Sequence, residues 1–126
     1  MPQGFKSIAI LAAQAADKKK GEDILVIDTR RRSSLSDYIL LVNIQSPAQL
    51  EAVESEVRKS MEAAGVTLVH HDGGDSVLWR VLDYGGLLVH LMHPQAREFY
   101  SLEKLYEVST RTGRGKVARA RLKARA

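Results

Sequence analysis

The sequence predicts an α+β fold in which helices pack on a mixed β-sheet of about five strands. Segments with apolar residues at helical spacing alternate with short β-branched and leucine-rich runs, in the order α-β-β-α-β-β-β-α. The chain has 126 residues, a length that suffices for one domain whose core needs no covalent crosslinks. It contains no cysteine, which excludes disulfides and thiolate metal sites and fits a reducing compartment.

The first helix is predicted over residues 5–16, where apolar side chains form one stripe. Lys18–Lys20 followed by Gly21 indicates its C-terminus, because basic side chains offset the negative end of the helix dipole. Ile24–Ile27 is a continuous apolar run, typical of a buried strand. Residues 29–36 are polar and include three consecutive arginines, which we expect in an exposed loop. Contact with RNA and simple solvation both remain open for these arginines.

The second strand is predicted at Tyr38–Val42, and a well-marked helix follows it. Helix Pro47–Ala64 begins with a capping box, in which Ser46 is the N-cap and Gln49 stands three residues later. Gly65 can close this helix in a left-handed conformation.

Three further strands and a last helix complete the pattern. Val66–Val69 is predicted as the third strand. Val77–Asp83 and Leu87–Met92 are predicted to form an antiparallel hairpin through residues 84–86, which include two glycines. Pro94 begins the final helix, because proline is tolerated at a first helical position. The apolar stripe of that helix consists of Phe99, Leu102, Leu105 and Tyr106. The pattern does not fix the order of the strands in the sheet.

The basic character of the chain resides in its C-terminus. From Arg111 onward there are seven bases and no acid. The remaining twelve bases face fifteen acids, so residues 1–110 carry a net charge of about −3. We therefore divide the chain into a domain over 1–108 and a basic tail over 109–126 that is expected to be disordered alone. The tail is either a solubility segment or an RNA contact through its phosphate-binding side chains. The candidates for that contact are Arg111, Arg114, Lys116, Arg119 and Arg121.

Targeting and membrane signals are absent from the sequence pattern. No apolar run approaches the roughly 20 residues that cross a bilayer. The apolar stretch Ile8–Ala13 is short, and its surroundings are typical of an amphipathic helix rather than of a signal peptide. A cytoplasmic location without membrane contact is expected.

The sequence offers no arrangement of residues for catalysis. Metal-dependent phosphoryl transfer requires carboxylates that converge on one ion, whereas Asp28 and Asp37 stand apart. The serines of segment 33–36 have no nearby base, and Gly85–Gly86 is too short to cradle a phosphate. The adjacent histidines at 70–71 would face opposite ways in a strand. We therefore expect no enzyme activity, no cofactor and no metal site.

One stretch concentrates the aromatic residues. Trp79–Tyr106 holds the only tryptophan and three of the four tyrosines, and it includes Arg97. Tryptophan, tyrosine and arginine often dominate binding energy at protein interfaces, because they cover a large area and also carry polar groups. The stretch is therefore either part of the core or a docking surface.

Strand alternation leaves this choice open. Trp79 and Asp83 share one face of the predicted strand, and Arg80 and Leu82 share the other. If helices cover the Leu82 face, Trp79 lies on the open face and is a candidate anchor for a protein partner. Otherwise Trp79 packs in the core or in a homodimer interface.

A family resemblance favours docking. The sequence closely resembles the ribosomal silencing factor family, also called RsfS or Iojap, over about residues 6–107. The motifs that carry the resemblance are Lys20-Gly21-x-Asp23-Ile24, Ser33-Ser34-Leu35-Ser36-Asp37-Tyr38, Ala64-Gly65, Trp79-x-x-Leu82-Asp83-Tyr84-Gly85, Val89-His90 and Arg97-Glu98-Phe99-Tyr100-x-Leu102-Glu103-x-Leu105.

The resemblance implies both a fold and a function. It implies a nucleotidyltransferase-like fold without catalytic residues. It also implies binding to the large ribosomal subunit through ribosomal protein L-fourteen, which blocks association with the small subunit and represses translation when nutrients are limiting. Two alternatives are a nucleotide-binding or nucleotidyltransferase-like enzyme and a general RNA-binding module that uses the basic tail.

Asp37 and His90 also match the family motifs, and we assign them structural roles. The chain departs from the usual family pattern at Gly86, where aspartate is common, and at Tyr106, where tryptophan is common. A homodimer of the free protein is plausible, because a surface that binds a partner can also bind itself. The resemblance also suggests which residues bind the ribosomal protein. These candidate contacts are Trp79, Leu82, Asp83 and Tyr84 on the strand and turn, and Arg97 and Tyr100 on the adjoining helix.

Overall fold

The computed structural model describes residues 4–30, 37–73, 78–95 and 117–118. No helix among these residues has the length and apolar character needed to span a membrane. In chain order the elements are α1 (Phe5–Lys18), β1 (Glu22–Asp28), β2 (Tyr38–Asn43), α2 (Pro47–Ala63), β3 (His70–Asp72), β4 (Trp79–Asp83), β5 (Leu87–Met92) and β6 (Val117–Ala118).

The strands form one sheet in the order β3-β4-β5-β2-β1-β6. β2 and β5 are parallel, and every other neighbouring pair is antiparallel. The predicted mixed sheet is therefore confirmed, with β1 to β5 as its main strands. β6 adds two residues beside β1, where Val117 pairs with Ile27 and Ala118 with Val26. The division of the chain at residue 108 stays a prediction.

Both described helices pack on the same face of the sheet. α1 contributes mainly alanines and α2 larger apolar side chains, so α1 lies close to the strands while α2 fills the space beside it. A second, smaller cluster of buried side chains lies on the opposite face of the sheet, which we call the far face. It comprises Leu25, Ile27, Ile39 and Leu41, with Leu88 packed against them. All six residues of β2 are buried, which explains why this strand has a continuous apolar sequence.

The predicted start of α2 is confirmed, with one change in the capping box. The Ser46 hydroxyl accepts a hydrogen bond from the Gln49 amide at 3.1 Å. The Gln49 side chain accepts from the Gln45 amide at 2.6 Å, one residue before the N-cap. Its Nε2 donates to the Lys20 carbonyl at 2.8 Å. Gln49 therefore ties the start of α2 to the end of α1.

The two helices end differently. Gly65 has a φ of +78° after α2, as predicted. After α1, by contrast, Lys20 takes the left-handed conformation with a φ of 70°. Gly21 is needed for space, because a Cβ there would lie 2.6 Å from Cγ1 of Val42.

The prediction of a third strand at Val66–Val69 is wrong. The third strand is His70–Asp72, which pairs antiparallel with β4. The Val69 amide donates to the carbonyl of Asp83, the last residue of β4. Because β4 ends there, residues 66–68 have no strand beside them among the residues that the structure describes. Their apolar side chains instead pack against the helix-covered core.

The predicted hairpin of β4 and β5 is confirmed. Trp79 pairs with Met92 at one end and Asp83 with Leu88 at the other. In the turn, Asp83 accepts a hydrogen bond from the Gly85 amide at 2.8 Å, and Gly85 has a φ of +89°. A Cβ at Gly86 would collide with the ring of Phe5 in α1, which explains why this chain uses glycine at that departure from the family pattern. A helix begins at Pro94, but the apolar stripe predicted for it lies outside the described residues.

Candidate functional site

The structure decides which face of β4 is covered. Arg80 and Leu82 are buried on the side of the helices, whereas Trp79, Val81 and Asp83 are half-buried on the far face. Because the helices cover the Leu82 side, Trp79 lies on the open face of the strand, which is one of the two arrangements that alternation allows.

Arg80 connects β4 to α2. Its guanidinium contacts Glu54 at 2.7 Å and Glu51 at 2.9 Å, and Glu54 also pairs with Arg58 at 2.8 Å. The hydrogen bond that Arg80 donates to Glu51, together with the one that it donates to Glu54, raises the pKa of Arg80 above its ordinary value. This cluster was not among the features predicted from the sequence. A signal was available, because glutamates at positions 51 and 54 share one side of a helix.

The Arg80 cluster gives a prediction for stability. Arg80→Ala is expected to lower the free energy of unfolding by about 2 kcal/mol, because it removes one of the two cations that pair with the largely buried Glu54. Urea unfolding of the variant and the wild type measures this difference.

A matched control for that prediction is Arg30→Ala, because Arg30 also pairs with an acid, Asp28, but has an exposed side chain. We expect a much smaller effect from it. Equal losses in the two variants would contradict the structural role of Arg80.

The far face near the edge of the sheet carries the candidate binding surface. We call it the Trp79 surface. Its half-buried residues are neighbours across strands: Val81 lies opposite Asp72, and Asp83 lies opposite His70 on one side and Leu88 on the other. An apolar centre with a polar border is the usual composition of a protein interface. The Trp79 surface comprises Trp79, Val81, Asp83 and Leu88, with the exposed His70 and Asp72 at the sheet edge.

The indole of Trp79 is held from below by His90 on β5. Its Nε1–H donates to Nδ1 of His90 at 3.0 Å, and the ring centroids are 5.9 Å apart. Burial lowers the pKa of His90 from 6.5 to about 4, so the imidazole is neutral at neutral pH. Because Nδ1 accepts a hydrogen bond, the proton of the neutral ring must be on Nε2.

The residues predicted to contact a ribosomal protein are divided by the fold. Trp79 and Asp83 lie on the Trp79 surface, whereas Leu82 and Tyr84 are only 1% and 4% exposed. Burial raises the pKa of Tyr84 to about 12. In this conformation the side chains of Trp79 and Asp83 are partly accessible from outside, whereas those of Leu82 and Tyr84 are not. Arg97, Tyr100 and the candidate RNA contacts of the tail lie outside the described residues.

Four residues of the Trp79 surface were not predicted from the sequence as contacts: Val81, Leu88, His70 and Asp72. Strand alternation puts Val81 beside Trp79, which was the available signal. The other three come from neighbouring strands, and their positions depend on register, which the sequence pattern does not give.

The acids considered for catalysis have other surroundings. Asp28 accepts hydrogen bonds from Nε and Nη2 of Arg30 at 2.9 and 2.7 Å, and the Arg30 side-chain bond lowers the pKa of Asp28. The guanidinium also lies 5.3 Å from the ring centroid of Tyr38. Asp37 is exposed. In the part of the chain that the structure describes, no three His, Cys, Asp or Glu residues are grouped to hold a metal ion.

Comparison with known proteins confirms the resemblance. The family model for the ribosomal silencing factor during starvation matches residues 2–126. The Bacillus subtilis protein named ribosomal silencing factor RsfS is 36% identical over 101 residues, which cover 80% of this chain and 86% of that protein. The chloroplast protein Iojap of Zea mays is 33% identical over 104 residues, covering 82% of this chain and 45% of that longer protein.

The fold agrees with solved structures of similar proteins. A Chromobacterium violaceum protein matches with a TM-score of 0.79 and 32% identity, over 82% of this chain and 87% of that one. A Bacillus halodurans protein matches with a TM-score of 0.71 and 29% identity, over 80% and 94% of the two chains. The family match, the sequence identities and the shared fold together show that this chain belongs to the ribosomal silencing factor family, whose members are named for a role in regulating translation.

Proposed function

We propose that this protein binds the large ribosomal subunit through ribosomal protein L-fourteen and thereby blocks association with the small subunit. By doing so in the cytoplasm it represses translation, especially when nutrients are limiting. Membership of the ribosomal silencing factor family supports the proposal. The half-exposed Trp79 is the observation that assigns the proposed binding to the Trp79 surface. It lies on a rigid strand among apolar and acidic neighbours.

The proposed mechanism is steric and needs no chemical step. A bound domain occupies the surface of the large subunit that the small subunit would cover. For this purpose the domain needs tight docking and a fixed shape. β4 provides the fixed shape, because β3 and β5 flank it and Arg80 ties it to α2. Trp79 and Asp83 provide the proposed contact, an aromatic anchor beside a carboxylate. Leu82 and Tyr84 would support this contact from the core.

Two further features belong to the proposal. The basic tail would contact ribosomal RNA phosphates through Arg111, Arg114, Lys116, Arg119 and Arg121, which adds salt-sensitive affinity. In the absence of ribosomes, a second copy of the chain would cover the Trp79 surface as a homodimer. We also infer a distant relationship to nucleotidyltransferases, with loss of their catalytic carboxylates. The pairing of Asp28 with Arg30 fits this inference.

Gradient sedimentation of ribosomal subunits tests the proposal. Purified protein is expected to co-sediment with isolated large subunits and not with small subunits. When added to joined ribosomes, it is expected to increase the fraction of free subunits. A protein that leaves the subunit distribution unchanged at saturating concentration would overturn the proposed function.

Deletion of residues 111–126 separates the proposal from a general RNA-binding module. The shortened protein is expected to keep binding to large subunits with a weaker dependence on salt, because fewer phosphates are neutralised. Complete loss of binding would favour the RNA-binding alternative. Magnesium-dependent binding of a nucleotide would favour the enzyme alternative.

A further inference from the structure

We propose that His90 is a positioning residue for partner binding, which fixes the indole of Trp79 in the orientation that docks. The proposal rests on the proposed function, because it assigns a role within the same surface. His90 itself would not touch the partner, because it is 6% exposed and lies beneath the Trp79 surface.

The geometry of the pair supports this role. Trp79 is the first residue of β4 and is half-buried. Without a bond to a neighbour, its indole could therefore adopt several rotamers. The hydrogen bond of 3.0 Å from Nε1 to Nδ1 of His90 joins the indole to the middle of β5. A side chain already held in its bound conformation loses less entropy when a partner docks.

The surroundings of His90 show why a role in core packing alone does not explain a histidine there. Its neighbours across the sheet are Leu41 on β2 and Val81 on β4, both apolar. Burying an imidazole among such residues is unfavourable unless its polar atoms are bonded. Among the described residues, Nδ1 accepts from Trp79 while Nε2 has no hydrogen-bond partner. A leucine would fill the same space without that cost. The bond to Trp79 is therefore the feature that a histidine adds.

Two variants at this position distinguish positioning from packing. His90→Asn keeps an acceptor, because Oδ1 of asparagine is attached to Cγ as Nδ1 of histidine is. His90→Leu keeps the apolar volume and removes the acceptor. The chain has one tryptophan, so a ¹H–¹⁵N NMR spectrum contains a single indole N–H signal that reports this bond directly. The remaining amide signals show whether each variant is folded.

We expect the indole N–H of the wild type to exchange its hydrogen slowly with solvent. Its chemical shift should change on acidification, when Nδ1 takes up a proton and can no longer accept a hydrogen bond. In His90→Leu the indole hydrogen should exchange about tenfold faster or more, and its chemical shift should lose the change on acidification. His90→Asn should keep slow exchange. Unchanged exchange in His90→Leu would overturn the proposal.

Binding to isolated large ribosomal subunits completes the test. His90→Leu is expected to bind about tenfold more weakly, and His90→Asn should restore most of the loss. In the Trp79→Phe background, which has no indole N–H, the two His90 variants should bind equally. A His90→Leu loss of the same size in that background would show a general packing effect and overturn the proposal. If the wild type itself does not bind large subunits, the proposed function fails, whereas wild-type binding that His90→Leu leaves intact overturns only the role of His90.

Discussion

Trp79→Ala is expected to weaken binding to the large ribosomal subunit by about 100-fold, the range of a strong interface anchor. The substitution removes the largest apolar group of the Trp79 surface and also leaves Nδ1 of His90 without its donor. Because the indole is half-buried on the far face, its loss should change the surface more than the core. Co-sedimentation with large subunits over a range of protein concentrations measures the loss.

Leu78→Ala is the matched control for this prediction. Leu78 is 46% exposed. Because it directly precedes Trp79, the first residue of β4, its side chain points to the other side of the strand. We expect a change of less than about threefold, because exposed apolar residues outside an interface contribute little to binding. Similar losses in the two variants would show that the docking surface lies elsewhere. Trp79→Ala with wild-type affinity and an intact fold would show the same.

The stability of the domain is expected to fall by about 3 kcal/mol as the pH decreases from 6.5 to about 4, through His90 alone. Above pH 6.5 the residue is neutral in both the folded and the unfolded chain, so it adds no pH dependence. Between pH 6.5 and about 4 the unfolded chain takes up a proton that the folded chain excludes, which favours unfolding. Below about pH 4 the folded chain binds the proton too, and the contribution becomes constant.

Urea unfolding between pH 4 and 7.5 measures this dependence. His90→Asn cannot take up the proton and should lose the corresponding slope, while it leaves the other three histidines, His70, His71 and His93, in place. The difference between the two proteins isolates His90 from the carboxylates, which both proteins share. Parallel stability curves for the two proteins would contradict a depressed pKa at this site.

Local signals account for what could be predicted about the fold. The start of α2 was predictable because Ser46 and Gln49 act on amides within one turn. The β4–β5 hairpin was predictable because a short glycine turn joins two apolar runs. The third strand was misplaced because apolar residues at 66–69 serve either a strand or packing against a helix. The length of β4, a distant element, decides between these outcomes.

The candidate site shows the same division. A contiguous motif suggested Leu82, Asp83 and Tyr84 together with Trp79, but neighbouring residues on a strand point to opposite faces. The fold buries Leu82 and Tyr84 and leaves Asp83 beside Trp79 on the far face. Alternation grouped Trp79 and Asp83 correctly, yet it gave no way to tell which group is covered.

The sequence by itself determined both long helices, the two central strands β1 and β2, the β4–β5 hairpin, the class of the fold and the family, since periodicity, capping and motif spacing are properties of the chain alone. Only the tertiary structure decided that α2 covers Arg80 and Leu82, that β3 brings His70 and Asp72 to the border of the Trp79 surface, and that His90 holds the indole. The physical reason is that these contacts join residues from separate elements. Their distances depend on strand order and register, which short-range patterns do not encode.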